Sequence, residues 1–329
     1  MSDFALLDYI HIAFIIGVIV SILYFRRTFV SLGGSMTIGY LAAMLHSPMA
    51  VLFTVLVSLG SWAFIRFIVL RFWLPDPRRI FFLGVGIGMA PGIIWFIATG
   101  MVADETTRLL TLVGVVVPGM ICHSFVKQGV VKTLFPMLLL TMLVAAAALV
   151  ITFATSVLFN LNLTENTLII DGETSGQYFA LLVVSVIMAM MLQEGLIRNT
   201  KLRTGGYVSV GVVIAAAASF TQIVILLLAT TILMAIYIPF SRKVPLFGKD
   251  RFMVLITLSF VLVLVLEAVT VAITGQKLPG TANLVFCIVP ALIAGDVVQH
   301  GARKTASGMA ISGVVTGMAV VPMSLLLAS

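Results

Sequence analysis

The chain has 329 residues, 61% of them hydrophobic and only 9% charged, with a mean hydropathy of +1.22 and a formal charge of +7. A soluble domain carries roughly 45–50% apolar and about 25% charged residues, and a compact fold with so few polar side chains cannot cover itself in water. Soluble enzyme, secreted scaffold and disordered tail are therefore excluded: this is an integral membrane protein, whose charge excess reads as the Lys/Arg bias that orients spans rather than as a nucleic-acid signature.

Met1 to Tyr9 carries Asp3 and Asp8 but no Lys or Arg, so the first apolar run is expected to stay as a span rather than be cleaved as a signal peptide. Apolar runs follow at Ile10–Phe25, Ser35–His46, Met49–Leu70, Ile80–Met101, Leu109–Ser124 and Leu134–Phe159. After a connection with Glu165, Asp171 and Glu173, six more lie at Phe179–Ile197, Tyr207–Ala218, Ile223–Phe240, Phe252–Thr274, Thr281–Val298 and Ala306–Leu327. A spanning helix needs about 20 residues. Most of these runs suffice, but the second and fifth of each half are short or interrupted. The expected fold is all-α, with about 12 transmembrane segments in two six-segment repeats.

One ungapped offset of 172 carries the first half onto the second. It pairs Arg26 with Arg198, Thr28 with Thr200, Gly33-Gly34 with Gly205-Gly206, Gly39 with Gly211, Ser47 with Ser219 and Arg79 with Arg251. Pro118 then pairs with Pro290, Gly129 with Gly301, and Lys132-Thr133 with Lys304-Thr305. Matches of Gly, Pro and basic residues at a single offset mark a tandem duplication: a first repeat over 1–157, an acidic linker over 158–172 and a second repeat over 173–329. If all twelve runs cross, the basic clusters of both halves fall on one side. That side is expected to be cytoplasmic, with the linker and both termini outside. Inverted halves would have opposite charge bias, so the repeats are expected to be parallel.

Function is constrained first by what the sequence lacks. It has no GxxxxGK[ST] loop, nucleophile elbow, HExxH or CxxC pattern, and its connections leave no room for a soluble domain. Gly84, Gly88 and Gly92, four apart in an apolar span, read as helix-packing residues rather than a nucleotide loop. No cofactor or metal is expected on this chain. Cys122 and Cys287 are isolated and form no ligand set.

The most informative pattern is Pro118-Gly119…His123…Lys127-Gln128-Gly129…Lys132-Thr133, repeated as Pro290…Asp296…His300-Gly301…Arg303-Lys304-Thr305. A proline in mid-membrane opens carbonyls one turn upstream, which is tolerated only beside protein or a cavity. Interrupted segments at matching places in two repeats point to a substrate path. A kinked packing helix with a glycine cap is the plainer reading. The second pattern, Arg26 to Gly34 and Arg198 to Gly206, allows adjacent glycine amides to converge on an anion, or is a turn with orienting charges.

Glu194, Glu267 and Asp296 fall in or at the ends of spans and are expected to face protein or water. Glu194 precedes Arg198 by four residues, the favourable order for a structural ion pair. Asp296 and His300, also four apart, suit a proton-linked pair or satisfied core polarity. His11, His46 and His123 read as core polarity, although His123 also lies within the repeated pattern.

The Arg-x-Thr and Gly-Gly pattern, Arg78-Arg79, and the Val-Pro-Gly…Lys-Gln-Gly segment with Thr133 together resemble the PgsC/CapC family, a membrane subunit of poly-gamma-glutamate (capsule) biosynthesis. The chain resembles two copies fused. The second copy departs from the pattern at Ala291, Gln299 and His300. The resemblance implies a subunit that binds no nucleotide itself. Its implied partners are a Mur-ligase-like PgsB/CapB-type subunit, which would bring ATP and a divalent metal and form the gamma-amide bond through an acyl phosphate, and a PgsA/CapA-type subunit outside the membrane. The expected function is to support polymerisation and export of poly-gamma-glutamate across the cell (cytoplasmic) membrane, within the lipid bilayer and without nucleic acid. Two alternatives are a stand-alone proton-coupled transporter of a small anion working through Asp296 and His300, and a scaffold with no substrate path.

Overall fold

A computed structural model describes residues 3–72, 80, 83–84, 86–88, 117–159, 163–169, 186–192, 205, 209–216, 220–279 and 283–328. The fold is built from helices, as expected of an all-α membrane protein. Among the described residues five helices are long and apolar enough to cross a bilayer: Ala5–Thr28, Pro48–Phe72, Val130–Ser156, Phe220–Lys243 and Asp250–Thr274. The chain divides into two compact units, Met1–Asn166 and Thr167–Ser329.

In the first unit, α1 (Asp3–Thr28) is followed by the short α2 (Thr37–Ala43) and a 3-10 turn (Met44–His46). Helix α3 (Pro48–Phe64) continues through a widened turn, Ile65–Val69, to Phe72. The unit closes with α4 (Val117–Gln128) and α5 (Val130–Phe153). In the most apolar stretch of α1, 56% of residues are buried, against 28% in α5, so α1 is central and α5 presents most of its surface outward. Every residue of α2 is buried.

Helix α2 is short without being shallow. Ser21 Oγ donates to the Gly34 carbonyl (3.1 Å) and Tyr9 OH donates to the Ala42 carbonyl (2.7 Å). The second segment thus runs antiparallel to α1 from the level of Ser21 to that of Tyr9, about 18 Å at 1.5 Å per residue. Gly17 and Gly39 let the two backbones touch, because a Cβ on Gly17 would overlap the Gly39 backbone and one on Gly39 the Phe14 backbone. Such small-residue contacts are the usual means of close helix approach in lipid.

At the far end of α1, the buried Asp8 carboxylate accepts from the Leu163 amide (2.9 Å), the Thr164 amide (3.0 Å) and the Thr164 hydroxyl (2.7 Å). The start of α1 therefore lies beside the acidic connection that follows α5.

In the second unit, residues 186–192 are helical and are followed by α6 (Ser209–Ala216), α7 (Phe220–Lys243), α8 (Gly248–Thr274), α9 (Asn283–His300) and α10 (Ala302–Ala328). Helix α8 ends on Gly275 at φ +68, a left-handed cap whose amide donates to the Val271 carbonyl. Beyond it, Leu278–Pro279 pairs in parallel with Leu168–Ile169, a two-residue ladder that helical periodicity does not reveal. Pro290 lies inside α9. The Cys287 carbonyl, three residues before it, accepts from the buried Ser259 hydroxyl of α8 (2.6 Å), which satisfies part of the disrupted turn. Glu267 is buried at 3% exposure on α8, as expected of an intramembrane carboxylate.

The expected second segments are short helices in both units. The expected fourth segment of the first half, Ile80–Met101, and first segment of the second half, Phe179–Ile197, lie mostly outside the described residues, as do the paired residues Glu194 and Arg198, and Gly206. The observed helices outrun the expected apolar runs: α1 continues to Thr28 and α7 to Lys243. The basic residues of these last turns, Arg26, Arg27, Arg242 and Lys243, are exposed.

Candidate functional site

Four breaks in the chain share one construction. Gly33, Gly129, Gly205 and Gly301 have φ of +80, +92, +70 and +93, the left-handed region where a side chain is strained. Four residues after each stands a hydroxyl that donates back to the glycine carbonyl. Thr37 bonds Gly33 (2.5 Å), Thr133 bonds Gly129 (3.0 Å), Ser209 bonds Gly205 (2.5 Å) and Thr305 bonds Gly301 (3.1 Å). All four hydroxyl residues are buried. The Gly-x-x-x-Thr/Ser spacing therefore builds a hinge, and the hydroxyls of Thr133 and Thr305 are engaged in holding it. The residues between are free to face outward: Lys132, Arg303 and Lys304 are exposed, and Lys127 is exposed just before Gly129.

In the first unit the two hinges meet. The Ser31 amide donates to Gln128 Oε1 (2.9 Å), which ties the loop after Arg26 to the α4–α5 corner. A Cβ on Gly33 would lie 2.9 Å from Thr37 and 3.0 Å from Ile121, and Gly34 lies against Met120. The Gly-Gly loop is thus seated on α4, where Pro118 and Gly119 are buried. Gly84 and Gly88 meet the same helix, facing Gly119, Cys122 and Pro118, which fits their reading as packing residues. Arg26 stands exposed in the last turn of α1, on the same end as Lys127 and Lys132.

In the second unit Gly205 packs against Ile293 of α9 and Met309 of α10, so its glycine loop is seated as in the first. The α9–α10 corner differs. Gln299, matching Lys127, accepts from Arg251 Nη2 (3.0 Å). His300 stands where Gln128 stands in the first copy, with Nδ1 4.0 Å from Asp296 Oδ1. The sequence reading brought Asp296 and His300 together but passed over Arg251 as part of the site. Its signal was the match to Arg79.

Of the remaining histidines, His11 is buried and its Nδ1 bonds the Leu7 carbonyl, as a core residue does, whereas His46 is exposed at the end of the second segment, with Nδ1 bonded locally to the Ala43 carbonyl. His123 is half-buried on α4. Cys122 and Cys287 are buried thiols that form no disulfide. Among the described residues no three His, Cys, Asp or Glu side chains converge as metal ligands would.

Comparison with known proteins bears on this arrangement. The family described as capsule biosynthesis CapC matches residues 16–134 and again 188–306, two segments displaced by the same 172 residues as the repeat. The PGA biosynthesis protein CapC of Bacillus subtilis (strain 168) is 28% identical over 132 residues, covering 40% of this chain and 88% of that protein. The capsule biosynthesis protein CapC of Bacillus anthracis is 26% identical over 132 residues with the same coverage. No solved structure matches. With two successive family matches over the two glycine-hinged repeats, the chain belongs to the CapC capsule biosynthesis family as a tandem of two copies.

Proposed function

We propose that the chain is a multi-pass membrane subunit of a poly-gamma-glutamate synthesis and export complex, and that its hinge corners handle the polyanion. The observation that carries this reading is the repeated hinge, whose hydroxyl is buried and whose basic residues are exposed. A polymer with one carboxylate per unit needs a series of cations held at fixed places, which long flexible side chains on a loose loop do not provide. Lys127 and Lys132 in the first unit, and Arg303 and Lys304 in the second, stand exposed at such corners, where the potential of each pair attracts an anionic chain and raises its local concentration. Arg26, on the end of α1 beside the α4–α5 corner, extends the basic rim of the first copy.

The basic ends face the cytoplasm in this account, following the Lys/Arg bias, and both termini lie outside. A Mur-ligase-like CapB-type subunit docks there, binds ATP and a divalent metal, and activates the gamma-carboxyl as an acyl phosphate. A CapA-type subunit receives the polymer on the far side. The name of the Bacillus subtilis relative, a PGA biosynthesis protein, supports the polymer class, and that of the Bacillus anthracis relative supports a capsule role. The test is to replace Lys132 and Lys304 together by Gln. Polymer output should fall several-fold while membrane levels and thermal unfolding stay unchanged, and undiminished output would reject the polyanion path.

A second reading, a proton-coupled transporter of a small anion, is favoured by the Asp296–His300 approach alone. It requires uptake by the purified chain without a ligase.

A further inference from the structure

The second copy carries a cleft of about 350 Å³ between the start of α8 and the end of α9. Its polar lining is of both signs: Arg251 from α8, and Asp296 and Gln299 from α9. The bond from Arg251 Nη2 to Gln299 Oε1 fixes the guanidinium at the rim (3.0 Å). Asp296 is 23% exposed, reachable yet largely enclosed, and His300 stands behind it at 4.0 Å.

The repeat identifies what is particular to this cleft. At matching positions the first copy has His123, Ser124 and Lys127 where the second has Gly295, Asp296 and Gln299. A ring is removed, a carboxylate is introduced and a cation is replaced by an amide, all on one stretch of one helix. A Cβ on Gly295 would touch only Leu255, at 3.7 Å, so the position leaves space. The exchanges turn a basic wall into one that presents a negative charge opposite a retained arginine. Helix polarity runs the same way, because the N-terminus of α8 favours an anion and the last turn of α9 a cation.

From this cleft we infer that the second copy binds a group carrying both an ammonium and a carboxylate: an amino acid, or the amino end of a chain of them. Asp296 accepts from the ammonium and Arg251 donates to the carboxylate. The interior of a polyglutamate chain has carboxylates but no ammonium, so the site distinguishes a chain end or a monomer from the polymer body. The volume is at the low end of the roughly 300–1,000 Å³ of small-molecule sites, suited to one residue rather than a long segment. The inference deepens the proposed function and rests on it for the choice of glutamate.

The experiment is equilibrium binding to the purified full-length chain in lipid nanodiscs. The probes are glutamate, N-acetylglutamate, and gamma-glutamyl oligomers with free or acetylated amino ends. The free-amino form of at least one probe should bind about ten- to a hundredfold more tightly than its acetylated form, the scale of a charge-assisted hydrogen bond. Glutamate and the oligomer together tell whether monomer or chain end is the occupant. Asp296→Ser, which installs the first copy's residue, should abolish that preference while leaving thermal unfolding of the unliganded chain unchanged. If the variant does not fold, Arg251→Gln is read in its place, with loss of affinity for both forms expected. Equal binding of amino and acetylated probes, or no binding of any probe, overturns the inference. Neither result bears on polymer output in cells, which tests the proposed function separately.

Discussion

Gly33 has the most demanding environment of the hinge glycines, with a left-handed φ and two neighbours at about 3.0 Å from any added Cβ. Gly33→Ala should lower stability by roughly 1–3 kcal/mol, the cost of a strained backbone site, and shift thermal unfolding of the purified chain downward. Gly60 on α3 has nothing within 4 Å of an added Cβ, and Gly60→Ala should leave unfolding unchanged or raise it. Equal effects of the two would contradict the hinge account. The glycines and prolines were legible in the sequence because the repeat displays each of them twice. The partnering hydroxyls were not. Thr133 and Thr305 stood out only as followers of a lysine, and Thr37 and Ser209 not at all, since a Thr–Ser match looks incidental until both are seen to bond a glycine carbonyl.

Between helices, two long-range ties hold the first unit at its two ends. Asp8 holds the connection after α5 by three hydrogen bonds across 155 or more residues of sequence, and Gln128 holds Ser31 across 97. Asp8→Ala leaves the buried Thr164 amide without its acceptor, at about 1–3 kcal/mol, and frees the Leu163 amide, whose residue is exposed, to bond water. Hydrogen exchange at the Leu163 and Thr164 amides should rise sharply in that variant and stay unchanged in Gln128→Ala. The reverse pattern is expected at the Ser31 amide. The segments themselves were readable, since apolar runs bounded by charge mark helices whatever their partners. Their true ends were not, because the helices continue through basic residues, Arg26 and Arg27 in α1 and Arg242 and Lys243 in α7, that close the apolar runs. Nor was the course of the second segment: the run Ser35–His46 is shorter than a full span, and only the pairing of Ser21 with Gly34 and of Tyr9 with Ala42 reveals how far it climbs.

The tandem organisation joins a duplicated scaffold to diverged corners. Both copies keep the glycine hinges, and the second exchanges Lys127 for Gln299 and Ser124 for Asp296, so the copies are built alike and charged differently. The sequence exposed the duplication because substitutions within lipid-facing helices leave Gly, Pro and basic positions standing out. It concealed the pairing of Arg251 with Gln299, which lie 48 residues apart on different helices. Orientation has a direct check. Single cysteines placed at Arg26 and at Glu165, in a chain whose native Cys122 and Cys287 are buried, should be labelled from opposite sides of the membrane, with position 26 accessible from the cytoplasm. Labelling of both from one side would contradict the topology.

The central claim, that the chain serves polymer synthesis with a partner ligase, is tested most directly in proteoliposomes holding the purified chain. Added ligase, glutamate and ATP should yield poly-gamma-glutamate on the far side of the membrane, and omission of the chain should abolish its appearance there. Proton-driven accumulation of glutamate by the chain alone, with no contribution to polymer when the ligase is present, would contradict the account.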